Sequence, residues 1–94
     1  MHIGVLTLRL HLPGCRSLKE KRGRLKPLLH QLRREFNLSV AEIDAQDTWQ
    51  RAVIACAVVS NDAAQAQRVL QKAHRWVETT WREGWVEDEE IVIW

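Results

Sequence analysis

The chain has no tyrosine, one phenylalanine, one methionine, two cysteines, two prolines and four glycines among its 94 residues. Cys15 and Cys56 stand far apart with no CxxC, so no zinc ribbon or redox motif is written here. Two thiols without a secretory leader point to a reducing compartment and to unbridged cysteines. The glycines Gly4, Gly14, Gly23 and Gly84 are isolated, which excludes the glycine-rich loops that cradle phosphates. The longest apolar run, Ala52 to Val59, is eight residues, and a membrane helix needs ~20. Met1-His2-Ile3-Gly4-Val5 lacks the basic-then-apolar layout of a signal peptide, so a cytoplasmic location is expected. Hydrophobic residues at 46% and charged residues at 28% are ordinary globular values, and the length fits a single domain, residues 1–94.

What is present in excess is charge of one sign at one end. Residues 1–37 hold nine Lys/Arg against Glu20 and Glu35, a net of +7. Residues 38–94 hold five Lys/Arg against ten Asp/Glu, a net of −5, which returns the chain total of +2. Such a split fits a surface for polyanions, two faces of one soluble body, or two faces that meet in a dimer.

Ile3 to Leu12 alternates strictly, with Leu6, Leu8, Leu10 and Leu12 on one side and Val5, Thr7, Arg9 and His11 on the other, the pattern of a half-buried strand. Pro13-Gly14 ends it. Ser17 and Glu20 have capping-box spacing, and Leu18, Leu25, Leu29, Leu32 and Phe36 then form a helical core stripe. Steps of about 100° gather Lys19, Arg22, Lys26, Arg33 and Arg34 on one flank of that stripe. Pro27 predicts either a kink or a helix that begins there, and Asn37 stops the helix. Leu38–Asp44 and Gln50–Ser60 read as a hairpin whose second strand is apolar on both parities, hence central. Ser60-Asn61-Asp62 caps a second helix, carrying Ala66, Val69, Leu70, Ala73, Trp76, Val77 and Trp81, which Gly84 is placed to terminate. Val86–Trp94 is a last strand.

The order βαββαβ is the ferredoxin-like split motif, an α+β fold. The expected sheet is four-stranded and mixed, order 4-1-3-2, with the first and third strands parallel in the centre and both helices on one face. The other face then exposes Ile3, Val5, Thr7, Val53, Ala55 and Ala57, an aliphatic surface that predicts a homodimer or partner contact.

Chemistry is harder to find. His2, His11, His30 and His74 have no ligand spacing, so no metal is expected, and nothing calls for a cofactor. Cys56 reads as a small core residue. Cys15 lies on a turn beside Arg16 and near Lys19, where cations lower a thiol pKa, yet no base accompanies it and an ordinary loop cysteine is the plainer account. Glu42, Asp44 and Asp47 fall around the hairpin turn beside Trp49-Gln50-Arg51, where turn aspartates cap their own backbone. No catalytic set emerges. RNA-recognition modules of this fold stack bases on aromatics of the central strands, and these strands offer only Trp49. Backbone binding by Arg16, Lys19, Lys21, Arg22, Lys26, Arg33 and Arg34 remains, with Arg68, Lys72 and Arg75 of the second helix as an extension, against the plain alternative of a solvated helix face.

Leu12-Pro13-Gly14, Ser17-Leu18-Lys19-Glu20-Lys21-Arg22, Phe36 to Glu42, Asp47, Trp49-Gln50-Arg51-Ala52 and Val59-Ser60-Asn61-Asp62 resemble the YlxP-like family of small bacterial proteins over essentially the whole chain. The resemblance implies a ferredoxin-like fold and supplies no catalytic residues, because the family is uncharacterised. Its members are often encoded near translation-initiation and ribosome-maturation genes, which implies RNA or ribosomal particles as partners. Gly23 and Pro27 depart from the good helix formers expected there. The expected function is therefore non-enzymatic, cytosolic binding to structured RNA or a ribosomal particle, with a homodimeric protein-interaction module as the alternative.

Overall fold

A computed structural model describes residues 1–45 and 47–94. The elements are β1 (His2–His11), α1 (Leu18–Phe36), β2 (Ser39–Asp44), β3 (Arg51–Ser60), α2 (Ala63–Thr80) and β4 (Trp85–Ile93). They form one sheet of order β2-β3-β1-β4. This is the ferredoxin-like order expected, read from the other edge.

The strand directions correct one expectation. β1 pairs antiparallel with both β3 and β4, and β2 pairs antiparallel with β3, so the sheet is wholly antiparallel and not mixed. The crossover through α1 carries the chain from β1 to β2 without reversing its direction. β3 follows β2 through a tight hairpin, fills the slot left between β1 and β2, and so must oppose both.

The alternation in β1 decides which face the helices cover. Leu6, Leu8, Leu10 and Leu12 are at most 1% exposed and meet Leu25, Leu28 and Leu32 of α1 and Leu70, Ala73 and Val77 of α2 in a single core, completed by Ile54 and Cys56 of β3. Burying each such leucine is worth roughly 1.5–3 kcal/mol. The α1 stripe is rotated slightly from the expected one: Leu28 and Lys21 are buried, while Leu18, Leu29 and Phe36 are half-buried at its margin. Phe36 meets Trp76 edge-to-face, with centroids 5.8 Å apart.

α1 begins at Leu18 and runs through Pro27 to Phe36, which rules out a start at the proline. Ser17 Oγ accepts the Glu20 amide at 3.0 Å, and Glu20 Oε2 accepts the Arg16 amide at 2.8 Å, one residue earlier than a reciprocal capping box. Asn37 closes the helix with left-handed backbone at φ 52°. Asp62 caps α2 by accepting the Ala64 amide at 2.9 Å. Gly84 does not terminate α2, which ends at Thr80 with Trp81 as its cap. Its lack of a side chain serves a close approach, since a Cβ there would overlap the carbonyl oxygen of His11.

Candidate functional site

The Ser17–Arg22 segment splits between two duties. Lys21, expected among the phosphate contacts, is 2% exposed and points inward. Its Nζ donates to the carbonyls of Ala45 at 2.6 Å and Thr48 at 2.8 Å, and lies 2.8 Å from Glu42 Oε2. Two carbonyls and a carboxylate surround the buried ammonium, so Lys21 fastens α1 to the β2–β3 turn and is not available to an external anion. Steps of about 100° put this position on the same side of α1 as Leu25 and Leu32, a signal the expectation above did not use.

The remaining cations stay outside. Arg16, Lys19, Arg22, Lys26, Arg33 and Arg34 are all exposed. On α1, Lys19, Arg22, Lys26, Arg33 and Arg34 fall within an arc of about 120° and extend for ~22 Å at 1.5 Å per residue. They occupy the solvent face opposite the core and not merely its flank. Glu20 and Glu35 lie outside that arc. Among the described residues, none of these charged groups lies within 4.0 Å of a carboxylate oxygen. Arg33 donates one Nη2 bond to the Val40 carbonyl at 2.6 Å, which steadies its guanidinium without neutralising it. Arg24 behaves differently, binding Glu83 Oε2 at 3.1 Å and the carbonyls of Pro13 and Glu83. His30, which the charge reading passed over, shares the solvent face and lines a shallow apolar groove with Gly23, Lys26, Pro27 and Arg33. The same helical periodicity that grouped the lysines and arginines places it there.

The carboxylates expected around the hairpin turn do not converge. Glu42 is taken by Lys21, and Asp44 Oδ1 accepts the Ala45 amide at 2.8 Å, the turn role expected of it. Glu20 is the acid most altered by its surroundings: the Arg16 amide first, then the Cys15 thiol, hold its carboxyl below the ordinary value. Cys15 is fully buried, its thiol directed at the Ser17 carbonyl at 3.5 Å, and so is not a solvent-facing loop thiol. Burial pushes the Cys56 thiol up to about 12, as befits a core residue. Among the described residues, no group of three or more His, Cys, Asp or Glu is placed to hold a metal ion, and no helix is long and apolar enough to cross a membrane.

On the uncovered sheet face, Ile3 is 39% exposed and Val5, Thr7, Ala55 and Ala57 are half-buried. Val53 departs from the expected surface. At 7% exposure, with Arg9 and Asp44 as its register neighbours, it offers little to a partner. Val59, Val92 and Trp94, which sequence reasoning left out of this face, are 66%, 37% and 66% exposed around Ile3 and Val5.

The sequence profile of a protein of unknown function, DUF503, matches residues 3–89. The chain belongs to the DUF503 family. It is 41% identical over 63 residues to the uncharacterized protein YlxP of Bacillus subtilis (strain 168), an alignment covering 67% of this chain and 68% of that protein. Among solved structures, the DUF503 chain is similar to a de novo designed protein with ferredoxin fold, LFR1 1, at TM-score 0.53 and 11% identity, covering 100% of this chain and 83% of that one. It is also similar to the structural-genomics protein YJCS at TM-score 0.53 and 13% identity, covering 96% of each. At such low identity the likeness extends to the fold and not to activity.

Proposed function

We propose that this DUF503 chain binds structured RNA, alone or in a ribosomal particle, by laying the solvent face of α1 along the phosphate backbone. One observation carries the reading: Lys19, Arg22, Lys26, Arg33 and Arg34 share a carboxylate-free helix face ~22 Å long. A solvated helix face ordinarily interleaves its cations with acids at i+4, and this arc contains none. Arg16, in the loop before α1, extends the row. Backbone binding of this kind is nearly blind to sequence and sensitive to salt. Four to six phosphate contacts give a slope of about −3 to −5 in log K against log salt, or a loss of roughly 50- to 1,000-fold between 50 and 200 mM.

Titration of the protein into a labelled RNA hairpin at several salt concentrations tests this. The triple variant K19E/R22E/K26E, whose changes all face solvent, is expected to lose binding and keep its helical circular dichroism. No affinity at 50 mM salt, or an affinity that salt does not move, overturns the reading.

A second reading concerns the sheet. Ile3, Val59, Val92 and Trp94 make an apolar patch at one end of the uncovered face, and a second copy would present the same patch across a two-fold axis. Light scattering at high protein concentration, with V59E as the dissociating variant, decides it: a monomeric wild type removes the dimer and leaves RNA binding untouched.

A further inference from the structure

The loop that joins β2 to β3 is held more firmly than its exposure requires. The carbonyls on both sides of Trp49 are pinned: Thr48 O accepts from buried Lys21 Nζ at 2.8 Å, and Gln50 O accepts the Leu12 amide at 2.9 Å. The turn is closed further by the Thr48 amide on Ala45 O at 3.0 Å, and Gln50 Nε2 reaches the Cys15 carbonyl at 3.5 Å. These bonds tie the Trp49 segment to residues 12, 15 and 21, the chain that also carries Arg16, Lys19 and Arg22. Yet the Trp49 side chain is 51% exposed, over a shallow concavity formed with Asp47, Thr48 and Gln50. Trp85, similarly exposed, already has a partner in the His11 ring stacked 4.6 Å away. Trp94 is at the far end of the uncovered sheet face. Trp49 is thus an indole on a hydrogen-bonded backbone, tied to Leu12, Cys15 and Lys21, the chain neighbours of Arg16 and Arg22.

We infer that Trp49 is a stacking platform for an unpaired nucleobase of the RNA whose phosphates lie on Arg16, Lys19 and Arg22. This inference rests on the reading of α1 as a phosphate-binding face and adds to it a preference for RNA with unpaired bases. A rigid aromatic beside a cationic row is the arrangement that holds single-stranded segments: charge tracks the backbone while the π-face takes any base. Fixing the backbone in advance removes the entropy loss that a mobile loop would incur on binding. Stacking of one base is worth about 5- to 100-fold in affinity and adds nothing to the salt dependence, because it releases no counterion.

The test uses two RNA probes that share a stem, one closed by a purine-rich loop and one fully paired. Wild type, Trp49→Ala and Trp49→Phe are titrated against both, with urea unfolding as a check on the fold. W49A is expected to weaken the looped RNA about 5- to 100-fold, to leave the paired RNA and the salt slope unchanged, and to be largely rescued by W49F. Quenching of tryptophan emission by the looped RNA should be present in wild type and diminished in W49F. Equal affinities of W49A and wild type for the looped RNA overturn stacking while leaving the α1 reading intact. An equal loss on both probes also overturns it, since no unpaired base is then involved. Failure of wild type to bind either probe at low salt overturns both proposals.

Discussion

Replacing Lys21 with methionine keeps most of the side-chain volume and deletes only the ammonium. In the native protein that group is 2% exposed, donates to Ala45 O and Thr48 O at 2.6 and 2.8 Å, and is ion-paired with Glu42 Oε2 at 2.8 Å. Its removal leaves a carboxylate and two carbonyls facing an apolar thioether. Breaking a buried ion pair from one side costs about 3–5 kcal/mol. The Glu42 side chain is 22% exposed and Thr48 is exposed, so water reaches part of the orphaned set, and the expected loss falls to about 2–4 kcal/mol. In a domain of this size that lowers Tm by about 10–25 °C. Urea unfolding followed by far-ultraviolet circular dichroism measures it without relying on tryptophan emission from the adjoining loop. The double variant K21M/E42Q removes the orphaned charge and should recover about 1–2 kcal/mol. A K21M protein within about 0.5 kcal/mol of wild type would refute the role given to this lysine.

Glu20 has a folded-state pKa depressed below its ordinary 4.5, so its contribution is complete above that pH and is lost as pH falls through the lower folded value. The stability advantage of wild type over E20Q, from urea unfolding at pH 7, 4 and 3, should therefore shrink toward the acid end. Cys15 and Cys56 are both buried, and the Cys56 thiol is pushed up to about 12, so iodoacetamide should label neither faster than the protein opens. Rapid labelling of Cys15 in the native state at pH 6 would contradict its placement. Ala45 holds left-handed backbone at φ 60°, where a Cβ is strained, so A45G should raise stability by about 0.5–1 kcal/mol, read as a higher urea midpoint.

Much of the fold was legible because local signals agree. Strict alternation in β1, the Ser17 cap, the Asn37 stop and the double-sided apolar pattern of β3 each marked an element, and together they fix the order βαββαβ. Strand direction was misread at β1 and β3 because no local pattern encodes it; it follows from where the crossover leaves a vacant slot. Pro27 left a kink and a helix start both open, and the start is excluded because α1, packed through Leu25, Leu28 and Leu32, runs on through the proline. Gly84 misled because its reason is an approach by His11, distant in sequence.

The cationic face was legible as a set and illegible at one member, and the difference between Lys21 and its neighbours is instructive. Lys19, Lys21 and Arg22 are alike in composition, but only Lys21 faces the core side of α1, where an ammonium persists only if acceptors meet it. Helical phase could flag the position; the acceptors lie 21 to 27 residues further on, in Glu42, Ala45 and Thr48. It follows that the Ser17–Arg22 segment cannot be tested as a unit. Neutralising all its cations together would unfasten the Trp49 turn along with the exposed cationic row, and lost binding would then report a loosened loop as readily as a lost contact. Changes at Lys19 and Arg22 act on the surface, changes at Lys21 and Glu20 act on the scaffold, and only the first pair tests the proposed RNA binding.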